Sequence, residues 1–146
     1  MDVSERISKL GQLLASNYTL YLKTQNFHWN VTGPFFQTLH LMFETQYNAL
    51  ALANDAIAER IRSLGAPAPG TYKEFAMLSF ITEPSGKLSA EEMVKMLVAD
   101  HRTLIDFLKK LIQEAASDGD EGTIDLLTTR LSEHEKTAWM LQSFLD

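Results

Sequence analysis

The stretch NFHWNVTGPFF, residues Asn26 to Phe36, decides the fold because it joins two long helical patterns through one short turn. Upstream of it, from Val3 to about Asn30, one stripe of side chains recurs at the spacing of an amphipathic helix. Ile7, Leu14, Tyr21 and His28 stand seven residues apart in this stripe, with Leu10 and Thr24 between them. On this helix alone, His28 fits a hydrogen-bonded core position better than a ligand position.

Gly33-Pro34 ends the first pattern. We expect Thr32 or Gly33 to cap the next helix and Pro34 to lie in its first turn, where the missing N–H of proline is tolerated. The second long helix is predicted from about Phe35 to Leu64, where Gly65 and the run APAPG stop it.

The second half of the chain contains two more long helices and one short one. TYKEFAML, Thr71 to Leu78, predicts a small helix inside a long connection. A capping box at Ser89 and Glu92 starts the third long helix, which reaches about Ser117. DGDEGT is predicted as a turn, and the fourth long helix then runs to the end of the chain. The apolar stripes of these two helices are Met93, Leu97, Leu104, Leu108, Leu111 and Ala115, then Ile124, Leu127, Leu131, His134, Ala138, Leu141 and Leu145.

No strand pattern or internal repeat is present, so the sequence predicts an all-α fold in a single domain over residues 1–146. Four long helices with two short turns and one long connection predict a four-helix bundle with a crossover. The long link allows the second and third long helices to run parallel.

Composition limits the possible functions. The chain has 146 residues, 13 of them basic and 19 acidic, for a net charge of −6. The basic residues are scattered and form no Lys-rich tail, so direct DNA binding is not expected. Because cysteine is absent, any metal must be held by His, Asp or Glu. The sequence shows neither a secretion signal nor the roughly 18 consecutive apolar residues of a membrane span, so we expect a cytoplasmic protein.

The second helix carries two pairs of possible metal ligands, each at i, i+4: His40 with Glu44, and Asp55 with Glu59. Each pair lies on one face and could grip one ion. His40 and Asp55 are separated by roughly 22 Å along the helix axis, too far for one centre. If both pairs serve one site, a second copy of this helix must lie antiparallel across a two-fold axis, and His28 could join His40.

A di-iron site inside one bundle is not expected, because no Glu-x-x-His motif occurs anywhere in the chain. Simpler interpretations also exist for the individual residues. Glu44 and Glu59 could be ordinary exposed helix charges. Asp55 is less ordinary, since a lone carboxylate in the apolar run ALALANDAIA would be costly to bury without a cation or donor.

The chain resembles the Dps family of mini-ferritins over nearly its whole length. The most specific part is FHWNVTGPFFQTLHLMFETQYNALALANDAIAERIRSLG, Phe27 to Gly65. The resemblance implies a ferritin-like subunit, a dodecameric shell and ferroxidase centres between subunits, which oxidise Fe²⁺ with hydrogen peroxide and store ferric mineral. The implied metal ligands are His28, His40 and Glu44 from one subunit and Asp55 and Glu59 from its mate. The family more often has aspartate at position 44, and the longer Glu44 affects the spacing of a second iron.

The resemblance also implies roles outside the ligand set. Trp29 is similar to a family tryptophan that takes up stray oxidising equivalents, and otherwise it would pack at the interface. Asp118, Asp120, Glu121 and Asp125 would line a pore through which iron enters, although acidic residues are favoured at a helix N-terminus in any case. For His101 and His134 we predict a structural role.

Two functions therefore compete. One is a ferroxidase and iron-storage shell that protects the cell and its DNA from oxidative damage. The other is a non-catalytic shell or DNA-condensing stress protein whose metal site has lapsed.

Overall fold

Four long helices and one short helix account for nearly all of the chain. A computed structural model describes all residues, 1–146. The helices are α1 (Val3–Asn30), α2 (Phe36–Ser63), α3 (Tyr72–Leu78), α4 (Ala90–Ala116) and α5 (Glu121–Leu145). The all-α class and the order of the elements are confirmed. None of the helices combines the length and apolarity that crossing a membrane requires.

Ion pairs fix the directions of the helices. The start of α1 meets the end of α4 through Arg6 and Asp118, and Lys23, farther along α1, meets Asp100, nearer the start of α4. α1 and α4 are therefore antiparallel. The short α1–α2 turn makes α2 antiparallel to α1, so α2 and α4 run parallel, as the long connection between them predicted.

The bundle closes around one apolar core to which all five helices contribute. The predicted stripe of α4 is buried at every one of its positions, and in α1 Leu10, Leu14, Thr24 and His28 are buried. Burial of such stripes, rather than helix propensity alone, stabilises helices of this kind. The largest fully buried side chains are Phe27, Phe43, Leu10, Leu13, Leu20, Leu39, Ile57, Ile61, Leu97, Leu104, Leu108 and Leu111.

The capping box of α4 is confirmed. The Ser89 hydroxyl accepts a hydrogen bond from the Glu92 N–H at 3.1 Å, and the Glu92 carboxylate accepts one from the Ser89 N–H at 3.2 Å. Thr71 and Glu74 form the same kind of cap at the start of α3. Each cap satisfies N–H groups that a helix start otherwise leaves without a partner.

Buried polar side chains of α1 hold the long α2–α4 connection. The Lys23 ammonium donates to the Thr82 carbonyl at 2.9 Å and pairs with Asp100 at 2.8 Å. The Phe80 N–H donates to the Ser16 hydroxyl at 3.0 Å. These contacts seat the connection on the bundle and keep α3 against α1.

α2 begins at Phe36, within one residue of the predicted Phe35, but the predicted cap was wrong. Neither Thr32 nor Gly33 caps the helix, and Pro34 lies before it rather than in its first turn. Gly33 adopts a φ of +110°, a value that suits glycine, and its carbonyl accepts a hydrogen bond from the Phe36 N–H. The helix begins only after this turn.

The predicted start of α5 was also wrong. The helix begins inside the segment DGDEGT, at Glu121, because the Asp120 carboxylate caps it by accepting from the Thr123 N–H at 3.2 Å. Aspartate is among the preferred N-cap residues, because its carboxylate accepts from main-chain N–H groups of the first turn. The turn between α4 and α5 is therefore shorter than predicted.

Candidate metal centre

His28 and His40 face each other across the α1–α2 hairpin. Their rings are stacked, with centroids 3.9 Å apart and planes 12° from parallel. His28 is only 7% exposed, and His40 is half-buried with the Phe36 ring on it. The two histidines therefore meet, as the sequence predicted, and they form a compact pair near the α1–α2 turn.

Reciprocal hydrogen bonds fix the orientation of both rings. The Nδ1 atom of His28 lies 2.7 Å from the His40 carbonyl oxygen, and the Nδ1 atom of His40 lies 2.7 Å from the His28 carbonyl oxygen. A carbonyl oxygen can only accept, so each Nδ1 carries the hydrogen. In the neutral rings each Nε2 keeps its lone pair, which is the arrangement of a histidine prepared to bind a metal ion.

Tyr47 lies beside this pair and was missed as a site residue by the sequence prediction. Its ring contacts the His28 ring edge-on, with centroids 5.2 Å apart. A signal was present, because Tyr47 stands seven residues after His40 and so shares a face of α2 with it. Tyr21, seven residues before His28 on α1, completes the same layer at 6.0 Å from Tyr47.

The carboxylates predicted as ligands do not converge on the histidines within one chain. Glu44 is half-buried, and Asp55 and Glu59 are exposed. No three His, Asp or Glu side chains lie close enough together to hold a metal ion. The two ligand pairs of α2 thus remain separate in one chain, in agreement with their spacing.

The cost of burial raised for Asp55 does not arise in the single chain. The buried polar residue of ALALANDAIA is instead its neighbour Asn54, whose side-chain oxygen accepts from the Asn17 amide at 2.7 Å. Asp55 points out of the bundle, where it is free to bind a cation or to remain solvated.

Trp29 follows His28 in sequence, but its side chain is exposed whereas that of His28 is buried. Its indole is 61% exposed and lines a groove of about 500 Å³ between α1 and the α3 segment. Tyr18 and Tyr72 line the same groove. Besides His40, the aromatic ring in contact with His28 within one chain is that of Tyr47.

The acidic α4–α5 turn is divided between two environments. Asp118 pairs with Arg6, and Asp120 pairs with both Arg6 and Arg60. Burial alone would raise the pKa of Asp120, but hydrogen bonds from Thr123 and the Arg60 charge outweigh it and hold that pKa below its ordinary value. These two residues hold α1, α2 and α5 together, whereas the other two predicted pore residues, Glu121 and Asp125, are exposed.

His101 and His134 form a buried polar chain between α4 and α5. The Arg130 guanidinium lies 3.2 Å from Nε2 of His134, and the Nδ1 atoms of the two histidines are 2.9 Å apart. Burial and the nearby Arg130 lower the pKa of His101 to about 3, and the pKa of His134 is also well below 6.5 because of burial, His101 and Arg130. Neutral, hydrogen-bonded and inside the bundle, both histidines agree with the predicted structural role.

The chain is similar to a known protein family and to characterised sequences over most of its length. The ferritin-like domain family matches residues 7–146. A Bacillus anthracis protein, DNA protection during starvation protein 2, is 41% identical over 140 residues, which cover 96% of this chain and 96% of that protein.

Solved structures agree with the sequence match. A Dps protein from Bacillus brevis has a TM-score of 0.95 at 36% identity and covers 100% of this chain and 99% of its own. The Vibrio cholerae O1 Dps protein, described as a member of a broad superfamily of ferritin-like diiron-carboxylate proteins, has a TM-score of 0.95 at 30% identity and covers 99% and 91%. Because the family, the relatives and the helix order all agree over almost the entire length, the chain belongs to the ferritin-like superfamily and, within it, to the Dps family.

Proposed function

We propose that the protein is a ferroxidase that oxidises Fe²⁺ with hydrogen peroxide at sites shared by two subunits and stores the ferric product inside a dodecameric shell. Membership of the Dps family, within the ferritin-like diiron-carboxylate superfamily, supports the broader role in iron storage and stress protection. The finer statements on oxidant, assembly and residues are our proposal.

The observation that carries the proposal is the His28–His40 pair. Two imidazoles are held in one orientation by main-chain carbonyls, and neither Nε2 atom is used within the chain. A purely structural pair would be expected to use these nitrogens in hydrogen bonds. Imidazole nitrogen suits Fe²⁺, so the pair is a half-site that lacks only its carboxylates.

The carboxylates would come from a second subunit. Asp55 and Glu59 are exposed on α2, far from the histidines of their own chain, so an antiparallel partner helix would bring them to the half-site. Carboxylate oxygen continues to hold iron after oxidation, because it suits the harder Fe³⁺. Glu44 stands one helical turn after His40 and would supply a further oxygen from the histidine side.

The reaction balances when two Fe²⁺ ions meet one peroxide. Each Fe²⁺ gives one electron, the O–O bond breaks, and two protons from solvent complete two water molecules. Delivery of both electrons at one site avoids release of hydroxyl radical. A site with few protein ligands suits this step, because it leaves positions on the iron open for peroxide.

Exposed apolar side chains support assembly. Leu52, Tyr72 and Met77 are 76%, 80% and 77% exposed in the single chain, and Trp139 is 66% exposed. So many large apolar side chains on the surface of a small acidic protein are typical of faces that become buried between subunits. For iron uptake, Glu121 and Asp125 are the free acids of the proposed pore, and cations would concentrate there.

A variant with the proposed carboxylates neutralised tests the function. Asp55→Asn with Glu59→Gln should abolish the acceleration of Fe²⁺ oxidation by peroxide, followed by absorbance of the ferric product. Asp106→Asn with Glu135→Gln is the matched control, because it also removes two exposed charges but lies on α4 and α5. Wild-type protein no faster than buffer, or a site variant as fast as wild type, would contradict the proposal.

The competing function is a non-catalytic, DNA-condensing shell. It predicts no ferroxidase activity and retention of duplex DNA in a gel-shift experiment at moderate salt. The net charge of −6 argues against the second outcome, because binding to phosphates depends on clustered basic residues. Loss of DNA mobility with the wild-type protein would show that the charge argument fails.

A further inference from the structure

Arg130, on α5, is a buried cation without a carboxylate partner. Its side chain is 8% exposed, and it takes part in no ion pair. The other two buried arginine or lysine side chains are both paired, Arg6 with two aspartates and Lys23 with Asp100. A buried charge without a counter-ion is strongly unfavourable, so the guanidinium of Arg130 is expected to have a partner of opposite charge.

The ionisable neighbours of Arg130 do not supply that partner. Glu133, one turn farther along α5, is exposed and lies beyond ion-pair distance. Burial lowers the pKa of Arg130, and the charge of Glu133 opposes this effect without reversing it. The guanidinium nevertheless remains charged near neutral pH, because its ordinary pKa is so high. Its hydrogen-bond acceptor within the chain is the imidazole of His134, a neutral group, 3.2 Å from the Nη2 atom.

The direction of the hydrogen bonds follows from the guanidinium, which can only donate. Nε2 of His134 must therefore accept, so Nδ1 of His134 carries the hydrogen. This N–H donates to Nδ1 of His101 at 2.9 Å, which leaves the hydrogen of His101 on its Nε2 atom. Nε2 of His101 and Nε of Arg130 are both buried without a hydrogen-bond partner. We call Arg130, His134 and His101 the basic cluster; it carries one positive charge and two buried N–H donors without acceptors.

We propose that the basic cluster binds a small inorganic anion, chloride, at the Nε–H of Arg130. The anion supplies what the chain leaves missing at this point, which is a negative charge beside the guanidinium and an acceptor for a buried N–H. The inference is independent of the ferroxidase proposal, because the basic cluster lies on α4 and α5 whereas the proposed iron ligands lie on α1 and α2.

Burial favours a monatomic ion over a larger anion. Arg130 is 8% exposed and His101 is 1% exposed, so the donors of the basic cluster face the inside of the bundle. A halide ion needs little more room than one buried water molecule, whereas a phosphate group needs several times as much. A water molecule is the competing occupant. It would accept the hydrogen bond but would leave the charge of Arg130 uncompensated.

A bound anion makes the packing of α4 against α5 depend on which anion is present. His101 and His134 belong to the buried faces through which these two helices meet. Specific binding to the folded state stabilises it progressively as the concentration of the ion rises. Screening of the net charge of −6, in contrast, depends on ionic strength alone. Chloride and bromide should therefore stabilise the protein more than a bulky anion does at the same ionic strength.

Thermal unfolding of the assembled protein at fixed ionic strength tests the inference, with sodium gluconate exchanged stepwise for sodium chloride. We expect the unfolding temperature to rise by about 3 °C between about 10 and 300 mM chloride, and bromide to act like chloride. Arg130→Met should lose this dependence whatever its own stability, because methionine fills the site without a charge. Arg102→Met, which removes an exposed arginine of α4, is the matched control and should keep it.

A second measurement uses the wild-type protein and so does not depend on the folding of a variant. Crystals grown in sodium bromide should show, in anomalous diffraction, a bromide ion within hydrogen-bond distance of Arg130. The same crystals identify any other occupant of the site.

Several results would overturn the inference: an unfolding temperature that follows ionic strength alone, equal chloride dependence in wild type and Arg130→Met, or a water molecule or a carboxylate of a second subunit at Arg130 in place of bromide. A bromide peak without any chloride dependence of stability would indicate an adventitious ion only, and it too would overturn the inference. Peroxide-dependent Fe²⁺ oxidation, measured on the same samples, reports separately on the proposed function.

Discussion

At the scale of single residues, the decisive feature is how His28 and His40 are held. Each Nδ1–H donates to the main-chain carbonyl of the other residue, not to its ring. Replacing one side chain therefore removes one imidazole but leaves the carbonyl that orients the remaining histidine. Main-chain geometry therefore orients both rings, and either side chain can be replaced without removing the hydrogen-bond acceptor of the other.

This geometry predicts the result of single substitutions. His28→Ala and His40→Ala should each lower Fe²⁺ affinity by at least about tenfold, measured by anaerobic titration, because each removes one nitrogen ligand. The double variant should be weaker than either. Gln37→Ala, an exposed change in the first turn of α2, serves as the control. Wild-type affinity in either single variant would show that the ring concerned is not a ligand.

The sequence was sufficient to predict that His28 and His40 meet, because a short turn after an amphipathic helix brings positions near the turn together. The sequence was not sufficient to predict that Asp118 and Asp120 form ion pairs with arginines. Their partners Arg6 and Arg60 lie on other helices and more than 50 residues away in sequence, so the pairing depends on the assembled bundle. Tyr47 could have been found, since it shares a helical face with His40.

At the scale of elements, the α4–α5 turn joins several helices. Asp120 caps α5, and its carboxylate also meets Arg6 from α1 and Arg60 from α2. Arg6 is itself buried, at 6% exposure. Asp120, which the sequence suggested as part of a pore, thus holds three helices together in the single chain. The helix that it caps begins earlier than predicted.

Asp120→Ala should destabilise the protein by about 2–4 kcal/mol, since it removes a helix cap and leaves two arginines short of a partner. Asp118→Ala should have a smaller effect, because Asp118 caps no helix and pairs with one arginine side chain. Thermal unfolding at equal protein concentration would compare them. An Asp120→Ala variant as stable as wild type would contradict the structural role and favour a free pore position.

The histidines between α4 and α5 predict a dependence of stability on pH. The pKa of His101 in the folded chain is about 3, below the ordinary value of 6.5, so the unfolded chain binds a proton that the folded chain does not. The contribution of neutral His101 to the free energy of unfolding is therefore fully present above pH 6.5. It falls as the pH drops from 6.5 towards 3, by at most about 1.4 kcal/mol per pH unit for one such histidine.

His101→Gln tests this dependence. Whatever its stability at neutral pH, the difference in unfolding temperature between wild type and variant should shift in favour of the variant as the pH falls through this window. A difference that stays constant with pH would show that His101 is not the buried neutral group responsible.

At the scale of the whole molecule, we propose that the single chain is completed by other subunits. Its α2 carries His40 near the start, the exposed carboxylates of Asp55 and Glu59 near the end, and large exposed apolar side chains. A bundle with a well-packed core and large apolar side chains on its surface is expected to function in an assembly. The helix order and the core could be predicted from periodicity, but the faces between subunits could not, because their partners are absent from one chain.

The assembly proposal predicts a native mass of about 200 kDa, which corresponds to twelve subunits of 16.5 kDa. Light scattering coupled to size exclusion would measure it. A monomer or a simple dimer in solution would leave no cavity for a mineral and would contradict storage, even if the ferroxidase sites were active.

The sharing of each site between two subunits is the central claim, and mixed assembly tests it most directly. One variant carries His28→Ala with His40→Ala, the other Asp55→Asn with Glu59→Gln, and each alone should be inactive. Unfolded together and reassembled, they should recover about a quarter of wild-type peroxide-dependent Fe²⁺ oxidation, because half of the dimers are mixed and each mixed dimer keeps one of two sites intact. No recovery in mixtures proven to contain both chains would contradict the shared site.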